Sequence, residues 1–248
     1  RTITSRFFEG RAYRINSHGF RGEEIPPPSD KIRLVALGNS CTFGWGMDDD
    51  AVFINQLGAM INADSQLPPV EVINAGIPGY SSFQGRRVLV SDIAPLKPDI
   101  VLIMFAWNDQ WAAADNIPDK DIQFASQAVL DIQNFFARFK LYGVLRRLIL
   151  SATEESLDDK LNKENPVYRV GLDDFYANLN TMVQYCIHEG IIPILMTSPI
   201  PALEKYYPPG SRSPMHVYHH YYNLQTRDVA RNSKSILIDL AAEFDKYD

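Results

Sequence analysis

The sequence is poor in cysteine, in basic charge and in long apolar runs, and each shortage excludes a class of protein. Two cysteines, Cys41 and Cys186, are too few for a disulfide scaffold and lack the spacing of metal ligands. The net charge of −6 over 248 residues argues against a nucleic-acid interface, which needs a basic patch. No run approaches the roughly 18 apolar residues that span a bilayer. The composition indicates neither a metal nor a cofactor.

What the chain does contain suits one large α/β domain, or at most two small ones. Its 46% hydrophobic and 22% charged residues are ordinary for a globular protein. The chain begins at Arg1 rather than Met, and its last residues have a helical pattern that stops abruptly. We therefore expect further segments beyond both ends, the carboxyl end included. The compartment stays open, and it would be extracytoplasmic if a targeting segment precedes Arg1.

Apolar runs alternate with helical patterns, an order that predicts a doubly wound, five-stranded parallel sheet. Strands are predicted at about 31–37, 70–73, 100–105, 191–196 and 235–240. Helices are predicted at about 49–63, 81–93, 172–189 and 216–232, with a further helical pattern at about 122–150. The polar stretch 151–165 is predicted as a loop or a mobile helix. The proline-rich stretch 200–215 is predicted as a loop, and its unusual length suggests a binding function. Residues 1–30 are predicted to form an N-terminal arm laid over a domain of residues 31–248.

Three consecutive strand ends carry residues that suit acyl transfer. The first strand breaks into Gly38-Asn39-Ser40, the second is followed by Gly76, and the third by Asn108. In open α/β sheets ligands bind at the carboxyl ends of the strands. A serine hydroxyl, an unobstructed backbone N–H and a side-chain amide are a nucleophile and two oxyanion donors. Taken alone, however, Gly-Asn-Ser is equally typical of a simple strand-to-helix turn.

The set Gly38-Asn39-Ser40, Asn74-Ala75-Gly76 and Asn108-Asp109 resembles the SGNH (GDSL-type) hydrolase family. The resemblance covers about residues 14–245 and includes the lead-in Asn16-Ser17-x-Gly-Phe-Arg. It implies a flavodoxin-like three-layer α/β/α sandwich and hydrolysis of esters. It also implies that Ser40 is the nucleophile and a donor through its own N–H. The Gly76 N–H and the Asn108 side chain would then complete the oxyanion hole.

Two departures from the family pattern bear on activity. Asn39 stands where the family usually has Asp, which removes a negative charge beside the nucleophile. The family's Asp-x-x-His block, which supplies the base and its orienting acid, does not follow the last predicted strand. Because an unassisted serine hydroxyl is hardly ionised at neutral pH, we expect the histidine to lie beyond Asp248.

Several other residues have a functional and a structural interpretation, and the structural one is favoured. His216 and His220 have the spacing of a metal pair but no further ligand. We therefore expect His216, His219 and His220 to lie at the surface or to anchor a loop. Asp109 and Asp239 are expected to cap the segments that follow them. Cys41 is expected to be a small buried residue rather than a second nucleophile. Trp107 is the aromatic residue that we expect at the pocket.

The sequence thus predicts an esterase with a covalent acyl intermediate on Ser40. Its partner would be a small-molecule acyl ester or an acylated carbohydrate, with no nucleic acid and no spanning membrane segment. Two alternatives remain open. One is a transferase that moves an acyl group to a carbohydrate through the same intermediate. The other is a catalytically silent binding module that keeps the fold without the triad.

Overall fold

The protein, seen in a computed structural model, is described at residues 2–4, 10, 12–122, 167–200 and 214–246. The strands are β1 (Thr2–Thr4), β2 (Ala12–Arg14), β3 (Ile32–Gly38), β4 (Val70–Gly76), β5 (Ile100–Met104), β6 (Ile192–Met196) and β7 (Ile236–Ile238). The α-helices are α1 (Ser40–Phe43), α2 (Phe53–Ala63), α3 (Ser82–Val88), α4 (Leu172–His188), α5 (Pro214–Ser233) and α6 (Leu240–Phe244). Residues 123–166 and 201–213 lie outside the described residues. They include nearly all of the helical pattern predicted at 122–150, the stretch 151–165 and most of the proline-rich stretch 200–215.

The central sheet is parallel, with the strand order β4-β3-β5-β6-β7. This is the order of the flavodoxin-like doubly wound fold, in which the chain reverses direction across the sheet between its first and third strands. Here that switch point falls between β3 and β5. The predicted five-stranded parallel sheet is therefore confirmed, and the ligand-binding crevice of such a sheet opens beside the end of β3.

Side chains on alternate positions of the strands build a core on each face of the sheet. On β3, Val35 and Leu37 belong to the core that packs against α3, α4 and α5. Leu34 and Ala36 belong to a second core, which packs against the start of α2. Strands buried on both faces read as continuous apolar runs, which is why the sequence showed them clearly. The three-layer α/β/α sandwich is confirmed.

Four local features differ from the sequence prediction. β4 runs on through Gly76, so residues 74–76 belong to the strand and not to the turn after it. The helix expected at 49–63 begins as a separate 3-10 turn, Asp49–Ala51, before α2. The helix expected at 81–93 changes after α3 into a π-helical turn, Leu89–Ile93. β1 and β2 pair as a short antiparallel ribbon that the sequence did not indicate. Hydrophobic periodicity reports the side-chain face and not the backbone hydrogen-bond pattern, so it does not separate these helix types.

The amino-terminal segment is packed into the domain through Tyr13, Phe20 and Arg21, which are all at least 95% buried. The Arg21 guanidinium donates to the carbonyls of Phe43, Gly44 and Met47 and to the Asp49 carboxylate. These acceptors belong to the end of α1 and the loop after it. The segment therefore braces the chain just after Ser40, while a domain boundary at residue 30 stays a prediction.

No helix among the described residues combines the length and the hydropathy that a bilayer crossing requires.

Candidate active site

The turns after β4, β3 and β5 start from one edge of the sheet. Gly38, the last residue of β3, pairs with Gly76 on one side and with Met104 on the other. The three turns that follow carry Ser40, Gly79 and Asn108. Because parallel strands in register end together, these turns form one neighbourhood at the switch point. The structure thus brings together the strand ends that the sequence singled out.

Ser40 is the first residue of α1, the four-residue helix that follows β3. Asn39 caps this helix, since its Oδ1 accepts a hydrogen bond of 2.9 Å from the Cys41 N–H. The Ser40 side chain is half-buried, and its hydroxyl has no hydrogen-bond partner among the described residues. Cys41 is exposed, contrary to expectation, because residue 41 already follows helical rather than strand geometry. Ser40 is therefore presented at the crevice with its hydroxyl unengaged by the described part of the protein.

Gly76 requires a correction as an oxyanion donor. Its N–H donates to the side-chain Oδ1 of Asn74 at 2.9 Å, and the residue is buried. A Cβ at this position would lie 2.2 Å from the backbone nitrogen of Phe43. Glycine is needed here because the backbones of β4 and α1 approach closely, and not because its amide is available to a ligand.

Gly79 has the available amide that was expected at Gly76. It lies in the turn Ile77–Tyr80, in which the Tyr80 N–H donates to the Ile77 carbonyl at 3.2 Å. Its φ of 85° after Pro78 is the pattern of a type II turn. Gly79 is exposed, and its N–H has no acceptor within the described ranges. The Pro-Gly pair was the sequence signal that could have identified it.

Asn108 lies against this same turn. Its Nδ2 donates to the Tyr80 carbonyl at 2.9 Å, and the residue is 4% exposed. A side-chain amide has two N–H donors, and the second has no acceptor among the described residues. Ala106, two residues earlier, has a φ of 123°, which is strained for a residue with a Cβ. Such strain concentrates at functional sites, and here it lies in the turn that presents Asn108.

Asp109 is fully buried and connects the turn after β5 with the start of α3. Its carboxylate accepts hydrogen bonds from the Ser82 N–H at 2.8 Å and the Ala106 N–H at 3.1 Å. Asp109 therefore caps the start of α3. The sequence prediction, that Asp109 caps the segment that follows it, is wrong. Burial raises the pKa of Asp109 from 3.8 to about 6, although these hydrogen bonds and Arg169 oppose the shift.

We expect Asp109 to make stability fall as pH rises from about 4 to about 6. The folded state keeps the Asp109 proton to a higher pH than the unfolded state, so its contribution is lost as pH rises through the folded pKa. Asp109→Asn should remove this contribution, which is up to about 3 kcal/mol for a pKa raised this far. Urea unfolding at pH 4 and pH 7 measures it.

The exposed Asp92 supplies the control for this experiment. Asp92→Asn should keep the wild-type pH dependence of the unfolding free energy. An Asp109→Asn variant that also keeps it would show that the Asp109 carboxyl does not titrate as its burial predicts.

His219 and Asp239 have structural partners. The Nε2 of the buried His219 donates to the Ser198 carbonyl at 2.8 Å, and its ring centre lies 4.6 Å from that of Trp107. This agrees with the loop-anchoring role. Asp239 accepts from the Ala242 N–H and so caps α6, and it is also held by Arg227, which lowers its pKa. No three potential metal ligands gather within the described part of the chain.

The chain resembles a known enzyme family over most of its length. Residues 36–248 match the sequence pattern of the GDSL-like Lipase/Acylhydrolase family. The chain belongs to this family. The sequence matches none of the curated proteins with which it was compared.

Solved structures of similar fold include enzymes of this kind. A lipase/acylhydrolase from Enterococcus faecalis is 21% identical, with a TM-score of 0.51 over 86% of this chain and 77% of that one. An acetylxylan esterase from Geobacillus stearothermophilus is 19% identical, with a TM-score of 0.53 over 87% and 79%. An α/β hydrolase from the metagenome of Lake Arreo is 18% identical, with a TM-score of 0.53 over 87% and 80%. At these identities the likeness is one of fold.

Proposed function

We propose that this GDSL-family chain hydrolyses carboxylic esters through an acyl intermediate on Ser40. The observation that carries the proposal is the position of Ser40. Ser40 begins α1 at the switch point of the sheet. Beside it lies the turn that carries Gly79, and Asn108 is hydrogen-bonded to that turn through the Tyr80 carbonyl. A nucleophile with convergent, preorganised donors is what acyl transfer requires. The substrate would be a small-molecule acyl ester.

In the proposed reaction, the Ser40 Oγ attacks the ester carbonyl carbon and passes its proton to a base. The oxyanion that develops is held by the Gly79 N–H, the free N–H of the Asn108 amide and the Ser40 N–H. Collapse of the tetrahedral intermediate expels the alcohol, which takes up the proton. Water then attacks the acyl-enzyme and releases the acid. Gly79 takes the role expected for Gly76, because the Gly76 amide is already bound to Asn74.

The base in this scheme is a histidine, as the family resemblance implies. The described residues supply no hydrogen bond to the Ser40 hydroxyl, so none of them is assigned to the role. Esterase and acyltransferase chemistry share the first half-reaction and differ only in whether water or a second alcohol accepts the acyl group. A silent binding module would lack the first half-reaction altogether.

Labelling with a fluorophosphonate tests the proposal, because the reagent phosphonylates an activated serine and needs no knowledge of the acyl group. We expect the full-length protein to be labelled once, its Ser40→Ala variant to be unlabelled, and a Cys41→Ala control to be labelled like wild type. Release of p-nitrophenol from p-nitrophenyl acetate should follow the same pattern. If wild type stays unlabelled, or Ser40→Ala labels equally, the chain is not a Ser40 hydrolase.

A further inference from the structure

Arg169 holds the turn that carries Gly79, although it lies 90 residues away along the chain. Its Nη1 donates to the Gly79 carbonyl at 2.8 Å. Gly79 has no side chain to restrict it, and its φ is in a region that glycine enters and leaves easily. A turn with a glycine at this position keeps one amide direction only if its neighbours hold it. Arg169 supplies that restraint from one side and Asn108, through Tyr80, from the other.

The guanidinium is itself fixed by a network of ion pair and hydrogen bonds. Its Nε and Nη2 bind the two oxygens of Asp119 at 3.1 and 2.9 Å, and Asp119 is 4% exposed. Asp119 also accepts from the Ser81 hydroxyl at 2.6 Å. The Gln84 Oε1 accepts from Arg169 and from the Ser81 N–H. A bidentate arginine–carboxylate pair sets direction as well as attraction, so this network fixes the guanidinium before it reaches Gly79.

The backbone of Arg169 connects the same network to the segment that carries Asn108. The Arg169 N–H donates to the Trp111 carbonyl, and its own carbonyl accepts from the Asp119 N–H, both at 2.8 Å. The next residue, Val170, donates to the Asp109 carbonyl at 3.0 Å. Arg169 thereby joins the turn after β4 to the turn after β5. These are the two turns whose donors must converge on one oxygen atom.

We propose that Arg169 is a positioning residue for the oxyanion hole. Its guanidinium is anchored by the Asp119 carboxylate and holds the Gly79 carbonyl, and in this way it positions the turn that carries the Gly79 N–H. The inference rests on the proposed function and deepens it. Arg169 acts through Gly79 and Asn108 and donates nothing to the substrate. Its loss should therefore lower kcat, where the oxyanion is stabilised, and change KM little.

Two substitutions test the role in the whole protein with p-nitrophenyl acetate. Arg169→Gln removes the guanidinium that binds both Asp119 and Gly79. We expect kcat to fall roughly 10- to 100-fold, which is the effect of a small misplacement of catalytic groups. Arg169→Lys keeps a cation against the buried Asp119 but cannot reach both the carboxylate and Gly79 in the same geometry. It should retain the fold and lose activity to an intermediate degree. If Arg169→Gln does not fold, Arg169→Lys decides the question.

Arg231→Gln is the matched control, because it also removes an arginine–aspartate pair. Arg231 pairs with Asp228 near the end of α5. The chain continues from there into the start of β7, so this pair lies near the amino ends of the strands, opposite the candidate site. Its kcat should equal that of wild type.

A second readout separates positioning from general loosening of the fold. In an Asn108→Ala background, Arg169→Gln should cost less than threefold in kcat, because the hole that it aligns is already broken. A full and additive loss there would overturn the proposal, as would folded Arg169 variants with kcat within twofold of wild type. Fluorophosphonate labelling distinguishes this failure from that of the parent proposal. Unlabelled wild type refutes both, whereas labelled wild type with equally fast Arg169 variants refutes only the positioning role.

Discussion

Asn108→Ala should lower kcat by about 10²–10³ with a far smaller change in KM, since removing one oxyanion donor typically has that effect. In the proposed mechanism the second N–H of Asn108 contacts the oxygen only once that oxygen carries charge, so its stabilisation would belong mainly to the transition state. The side chain is 4% exposed, where a hydrogen bond to an oxyanion is stronger than it is in water. Steady-state kinetics on p-nitrophenyl acetate measure the loss.

Asn108→Asp gives a sharper form of the same prediction. Aspartate has the shape of asparagine but no N–H, and it would direct an acceptor at both the Tyr80 carbonyl and the developing oxyanion. We expect its kcat to fall below that of Asn108→Ala. Asn232→Ala is the matched control. Asn232 lies near the end of α5, and its exposed side-chain amide donates to the Tyr176 hydroxyl. An Asn108→Asp variant as active as wild type would remove Asn108 from the oxyanion hole.

Arg21→Gln should lower the free energy of unfolding by about 3–5 kcal/mol, the range for breaking a buried, fully hydrogen-bonded charge. The guanidinium uses all five of its N–H donors at distances from 2.6 to 2.9 Å. Its side chain is only 3% exposed. Glutamine has two donors, so buried carbonyls at the end of α1 would lose their partners. Urea unfolding monitored by circular dichroism measures the effect.

Arg14 provides the comparison within the same arm. It pairs with Glu23, but its side chain is 59% exposed, and exposed ion pairs contribute about 0–1 kcal/mol. Arg14→Gln should therefore leave the unfolding free energy within about 1 kcal/mol of wild type. Equal losses in the two variants would mean that the bonds from Arg21 to α1 do not stabilise the fold. Activity of the Arg21 variant, measured where it is folded, should also fall, since the braced loop follows Ser40 directly.

The sequence determined the layers of this protein and the location of its candidate site. β5 is apolar along its whole length, and β3 is apolar from Leu34 to Leu37, because both faces of these strands are buried. Such runs are visible in the sequence alone. The glycine, asparagine and serine at their ends mark turns by local chemistry that depends on a few adjacent residues. The alternation of strands and helices along the chain predicted the parallel sheet, whereas the order of its strands came from the structure. Local signals of this kind need no knowledge of distant contacts.

Only the tertiary structure decided which of the turn residues are available for chemistry. Gly76 is the last residue of β4 and Gly79 lies in the turn after it, and the sequence favoured the first. The side chain of Asn74 folds back onto the Gly76 amide, while the amide of Gly79 has no such acceptor among the described residues. Arg169 contacts this turn from a segment far along the chain, and no local sequence pattern predicts that contact. Hydrogen bonds between distant segments depend on how the layers pack, and sequence periodicity carries no record of them.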